Sequence, residues 1–206
     1  LGHPEGDPHK AYYAKSIDCM LPPDSTLWNE LTAADYEKIW YSDNTRFSYS
    51  TDVGATYAQM LFRFKVESRE KTVKKIVLAF EGYGTAFTGN GALMRLWNHT
   101  TSSYDQSTSG TASEDEILTI TVTSNLTDYI DENGYIFLLA ETIYSAEGGV
   151  PAVIYCDYVS CTVTINGITY VDIVSFRDAD RVDVKPFIFR TEFALTSWMF
   201  EKVLGG

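Results

Sequence analysis

Basic residues, histidines and cysteines are all scarce in this chain. Its 206 residues hold 16 Lys and Arg against 28 Asp and Glu, a formal net charge of −12, with 3 His, 3 Cys and 6 Pro. A surface this acidic repels phosphate backbones and anionic lipid headgroups, which argues against nucleic acid and membrane surfaces as partners and favours cations such as Ca²⁺. No apolar run approaches the ~20 residues of a membrane-spanning helix, and Leu1 opens a polar stretch without the charged-then-apolar pattern of a leader. With only His3, His9 and His99, and with no G-x-S-x-G, H-E-x-x-H, phosphate-binding loop or C-x-x-C, the common catalytic routes lack their usual parts. Three cysteines cannot all pair within one chain. In an ideal strand Cys156 and Cys161, five residues apart, point to opposite faces, so a bridge from Cys19 to either is the expected one, and three buried thiols are the alternative.

Aromatic side chains are abundant at 14%, and 45% of the residues are hydrophobic, enough to bury a sizeable core. Most of residues 47 to 191 alternates with period two or runs in short apolar stretches between Gly, Asn, Ser and Thr clusters, the signature of an all-β chain. Met60, Phe62, Phe64 and Val66 are expected to face a core, with Gln59, Arg63 and Lys65 on a wet side. Ile76, Leu78 and Phe80 repeat the pattern. Tyr135 to Ile143 is apolar on both faces, as in a central strand covered twice. Asn166-Gly167 suits a two-residue hairpin turn that sets Ile165 opposite Ile168 and Val163 opposite Tyr170. Asn133-Gly134 turns the chain into the Tyr135 strand after a helical turn at 126–131, with Thr127 as its cap.

The ends read differently. Residues 1–24 hold Pro4, Pro8, Pro22 and Pro23 and are expected to form an extended arm ahead of a single sandwich domain at 25–206. A short helix is expected at 32–39, capped by Thr32, and the apolar segment from Thr191 to Leu204 forms a terminal helix or an added strand. The fold class is therefore all-β: a two-sheet antiparallel sandwich with an N-terminal arm.

Several residue sets carry possible chemistry. Asp178, Asp180 and Asp183 on one loop, and Asp128 with Asp131 on another, are candidate Ca²⁺ ligands, because hard Ca²⁺ takes six to eight oxygens; Arg177 and Arg181 neutralise the first loop equally well. Leu1-Gly2-His3 has the spacing of a square-planar Cu(II) or Ni(II) site if Leu1 carries a free amine. In the stretch 92–98, alternation turns Ala92, Met94 and Leu96 inward and puts Trp97 on the outer face with Arg95. An aromatic face matches the C–H face of a pyranose, so Trp97, Arg95 and Tyr83 are the candidate saccharide-binding residues, with Trp28 and Trp40 as possible additions to the platform. Asn98 and Asn125 begin glycosylation sequons. Tyr12, Tyr13 and Ile17 in the arm could form a strand donated to a neighbouring copy. Glu81 and Glu141 at strand positions supply the pair a glycoside hydrolase would need.

Four segments, Glu81-Gly82-Tyr83-Gly84, Leu93-Met94-Arg95-Leu96-Trp97-Asn98, Thr123-Ser124-Asn125-Leu126-Thr127-Asp128-Tyr129-Ile130 and Tyr155-Cys156-Asp157-Tyr158-Val159, together resemble the jelly-roll modules of archaeal secreted and cell-surface proteins. These are similar to galactose-binding-like β-sandwich modules. The resemblance implies a jelly-roll sandwich as the topology of the two sheets, and an extracellular, non-enzymatic module. The expectation is a structural or adhesive surface protein that self-associates, with Ca²⁺ as a candidate stabiliser. A carbohydrate-binding module is the alternative and a carboxylate-pair hydrolase the third reading.

Overall fold

The computed structural model describes residues 8–52, 54–66, 73–165, 168–173 and 189–190. Among these residues twelve strands are arranged as an all-β sandwich of two antiparallel sheets. The first sheet contains β1 (Lys10–Ser16), β2 (Asn29–Glu30), β4 (Tyr57–Lys65), β6 (Ala92–Asn98), β7 (Ser103–Ser109) and β9 (Tyr135–Thr142), in the order β2-β1-β4-β9-β6-β7. The second contains β3 (Phe47–Ser50), β5 (Val73–Thr85), β8 (Glu116–Val122), β10 (Val153–Ile165), β11 (Ile168–Ile173) and β12 (Phe189–Arg190). Its order is β12-β11-β10-β5-β8, and β3 pairs with the N-terminal half of β10.

Period-two patterning builds the core. Met60, Phe62 and Phe64 from β4 meet Ile76, Leu78 and Phe80 from β5, with Met94, Leu96, Ile136 and Leu138 completing the layer, all fully buried. The Phe62 and Phe80 rings lie 6.2 Å apart across the two sheets. Each such side chain contributes about 1.5–3 kcal/mol by leaving water. Strand β9 is central, flanked by β4 and β6, and the hairpin register Ile165↔Ile168 and Val163↔Tyr170 is the expected one, although Asn166 and Gly167 lie outside the described residues.

The capped helix is also present. Helix α1 (Ala33–Glu37) begins at Thr32, whose side chain accepts the Asp35 backbone N–H. The turn near residue 126 is a single 3-10 turn, Leu126–Asp128. Its cap position is Asn125, in the left-handed region at φ 50, and not Thr127.

Three expectations need correction. Residues 10–16 are no arm: β1 pairs along its whole length with β4, from Lys10↔Arg63 to Ser16↔Tyr57, so a boundary at residue 24 separates two strands of one sheet. The hydrophobic side of β1, Ala11 and Tyr13, packs on the sandwich core, which is why the segment stays with its own domain. Second, Cys156 and Cys161 face the same way. The β10–β5 register shifts between Cys156 and Tyr158, and that bulge at Asp157 inverts the alternation, so Ile154 and Cys156 join Val159, Cys161 and Val163 in the core. Cys19 is exposed on the opposite side of the first sheet, and no cysteine forms a disulfide. Third, the outer side of β4 is not wet throughout, because Gln59 and Leu61 are buried there. The terminal segment from Thr191 onwards lies outside the described residues.

Candidate functional site

What buries Gln59 and Leu61 is the 17–28 connection between β1 and β2, which crosses the outer face of the first sheet as a strap. Its backbone is fastened to successive strands. Gln59 of β4 donates from Nε2 to the Asp18 carbonyl at 3.0 Å, and Glu141 of β9 accepts the Met20 N–H through Oε2 at 2.9 Å. Tyr104 of β7 donates its hydroxyl to the Leu21 carbonyl at 3.0 Å. Trp28 Nε1 donates to the Pro22 carbonyl at 2.9 Å and so closes the strap on itself. Glu141, 1% exposed, is the hub: it also accepts Arg95 Nε at 2.9 Å and Gln59 Nε2 at 3.1 Å. Backbone polar groups crossing a sheet face need partners, and these side chains supply them. Burial under the strap also pushes the Tyr104 phenol far above its ordinary range.

Among the described residues the strap covers only half of this face. Alternation brings Tyr12, Arg63, Tyr135, Phe137 and Trp97 outward on the other half, all half-buried, with His99 at the end of β6. Leu96 pairs with Leu138, which sets Trp97 beside Phe137. Trp97 meets Tyr104 edge-on with centroids 4.9 Å apart. His99 lies 5.8 Å from the Phe137 ring, and its Nε2 is 3.2 Å from the Tyr135 carbonyl. Burial lowers the His99 pKa, which keeps the ring neutral and lets Nε2–H donate to that carbonyl. Arg63 and Lys65 both stand over the Tyr135 ring, at 4.6 Å and 4.8 Å from its centroid.

Of the expected saccharide-binding residues, Arg95 and Trp97 share this face, and Arg95 is bound to Glu141 at its strap-covered side. Tyr83 belongs elsewhere. It lies on the outer face of the second sheet, stacked on Tyr155 at 4.4 Å with Arg46 over its ring at 5.8 Å, and Asp115 holds that Arg46. Trp28 is part of the strap and Trp40 is buried in the core, so neither extends the Trp97 platform as expected. Tyr135, Phe137, Tyr12 and Arg63 carry no saccharide-binding signal in the sequence, where Phe137 reads as core because its strand is apolar on both faces.

The acidic candidates take other roles. Asp131 Oδ1 accepts the Asn133 and Tyr135 N–H groups at 2.9 and 2.7 Å, and Asp128 accepts the Thr100 hydroxyl at 2.9 Å, so both hold the turn that leads into β9. No group of three or more His, Cys, Asp and Glu is placed to hold a metal among the described residues, and Asp178, Asp180, Asp183 and Leu1 to His3 lie outside them. Asn98 is a poor sequon: it is buried, donating from Nδ2 to Asp105 at 2.6 Å and accepting Thr101 N–H at 3.0 Å, whereas Asn125 is exposed. Tyr12 and Tyr13 are within β1, and Ile17, just beyond it, is 75% exposed. Glu81 and Glu141 are on different sheets, and Glu141 is the closed hub of the strap. Among the described residues no helix is long and apolar enough to cross a membrane.

These features define a two-sheet β-sandwich with one strapped outer face and an aromatic platform beside the strap. The chain belongs to the family described as "Uncharacterized protein, C-terminal domain", which it matches over residues 8–165, from the approach to β1 to the end of β10. No curated protein matches it. Among solved structures, the enzymatically active domain of bacteriophage CBA120 tailspike protein 4 aligns over 77% of this chain and 20% of that one, at 10% identity and a TM-score of 0.36. The chain thus spans a fifth of that structure's length, and a likeness so slight carries no argument.

Proposed function

We propose that the protein is a non-enzymatic, extracellular adhesive module that binds saccharide on the open half of its first sheet. The observation that carries this is the row of half-buried rings, Tyr135, Phe137 and Trp97, on neighbouring strands of a rigid sheet. Flat apolar faces held by strands, with polar groups at their margin, suit the alternating C–H and hydroxyl surfaces of a sugar chain. The winding of β3 to β10, in the order 3-10-5-8 against 4-9-6-7, supports a jelly roll, a framework that leaves an outer sheet face free for a ligand. Self-assembly by strand exchange through Tyr12, Tyr13 and Ile17 would require β1 to leave its full register with β4, so adhesion stands ahead of polymerisation.

The test is a panel of neutral and acidic oligosaccharides titrated into the full chain, with Trp97→Ala and Phe137→Ala beside it. Each truncation should weaken a bound saccharide about tenfold or more, since stacked aromatics concentrate binding energy. If no oligosaccharide binds, or if binding survives both truncations unchanged, the reading fails.

A further inference from the structure

Two cations stand over the Tyr135 ring in a chain that has acids to spare. Arg63 and Lys65, two residues apart on one strand, share the outer face by strand periodicity, and like charges set so close repel. Elsewhere the described cations in contact with the fold take carboxylates: Lys10 with Glu30, Lys38 with Asp35, Arg46 with Asp115 and Arg95 with Glu141. Arg63 and Lys65 are half-buried, and among the described residues neither has a carboxylate partner. Among the described residues Arg63 Nε is buried with no acceptor, and Lys65 Nζ donates to the Asn133 carbonyl. With 28 acidic residues against 16 basic ones, a half-buried cation pair that meets no carboxylate among the described residues can receive one from a ligand.

We propose that the open face is specific for carboxylated saccharides, the uronate type, with the sugar rings stacked on Phe137 and Trp97 and the carboxylate received by Arg63 and Lys65. This rests on the saccharide-binding reading above. Arg63 offers the planar fork that matches a carboxylate in two parallel hydrogen bonds, and Lys65 adds a point charge. Contact with the Tyr135 ring keeps both cations at the surface instead of letting them swing into bulk water. The ring contacts would hold a neutral sugar equally well, so they confer affinity, and the cation pair confers the choice.

Calorimetric titration compares an oligogalacturonide with its own methyl ester, which keeps the ring and removes the charge, and with a sulfated galactan oligosaccharide. The acid should bind about tenfold or more tightly than the ester, with the gap shrinking as salt rises. Arg63→Gln should erase the gap, Arg63→Lys should restore only part of it because the fork is missing, and Lys65→Gln should narrow it. Trp97→Ala should weaken acid and ester alike. Equal binding of acid and ester overturns the proposal and leaves the saccharide reading standing; so does a gap that survives Arg63→Gln with Lys65→Gln, or preference for the sulfated chain. Failure of every oligosaccharide to bind overturns both. Should an Arg63 variant fail to fold, the comparison of acid and ester on the unaltered chain decides by itself.

Discussion

Removing the Glu141 carboxylate should release the strap and cost more than any other single charge on the first sheet. In Glu141→Ala, three hydrogen bonds vanish together, from Arg95 Nε, Gln59 Nε2 and the Met20 N–H. Breaking a buried ion pair from one side costs about 3–5 kcal/mol when the remaining charge is sealed in. The Arg95 side chain keeps 21% of its exposure and can turn toward water, so the lower end, about 3 kcal/mol, is the appropriate figure. For a domain of this size that is roughly 6–12 °C in Tm. Thermal melting followed by circular dichroism measures it, and chymotrypsin cleavage within the strap, at Leu27 or Trp28, reports whether the strap lifts before the sandwich unfolds. Arg95→Leu with Glu141→Leu closes a double-mutant cycle, and its coupling should be about 1.5–3 kcal/mol because the pair is charge-assisted and mostly dry. A Glu141→Ala protein that melts within 1 °C of the parent and is cleaved no faster, against the ~6 °C minimum expected here, would refute the hub role.

The remaining expectations concern two titrating groups, one glycine and the thiols. Asp157, 1% exposed in the β10 bulge with Oδ1 unpartnered, has its pKa raised by burial; a raised carboxyl pKa means stability is lost as pH rises through the unfolded value of 3.8 toward the folded one. Asp157→Asn keeps an acceptor for the Asn44 N–H, so it should melt above the parent at pH 7 and level with it in acid; a constant difference at all pH values would contradict this. His99, with its pKa lowered, has the opposite slope: its contribution is intact above the unfolded value of 6.5 and declines as pH falls below it, a slope that His99→Gln should remove from the melting curve. Gly82→Ala should destabilise by about 2–3 kcal/mol, because a Cβ there collides with the Tyr155 carbonyl oxygen and the Phe80 ring; an unchanged denaturant midpoint would contradict the close approach at the bulge. Under native conditions a thiol reagent should label Cys19 at once and reach Cys156 and Cys161 only on unfolding, so the count of reactive thiols reads out both the absent bridge and the inverted parity.

Part of the candidate site was legible. Alternation of Ala92, Met94 and Leu96 with Arg95 and Trp97 is enough to turn Trp97 outward, because a charged Arg95 marks the wet face. Phe137 and Tyr135 carried no such mark. Their strand is apolar on both faces, and the sequence cannot tell a face covered by a strap from one left open to a ligand. Tyr83 shows the converse error: its outward direction is readable, but its sheet is not, and the two aromatic faces lie on opposite sides of the sandwich.

What the chain decides locally, it decides through periods and caps. The alternation of Met60, Phe62 and Phe64, the Thr32 cap and the Ile165↔Ile168 register all follow from interactions within a few residues, or from a turn whose backbone only some residues tolerate. The tertiary structure alone decides the rest. It places β1 in a sheet with a partner 49 residues later at Tyr12↔Leu61 in register, fastens the strap to β4, β9 and β7, and inserts the bulge that brings Cys156 and Cys161 to one side. Each of these depends on which distant backbone lies alongside, and a one-residue slip there reverses every side chain beyond it. That is why a strand can be read from its own residues, while the covered and open halves of a sheet are settled only when the whole chain has packed.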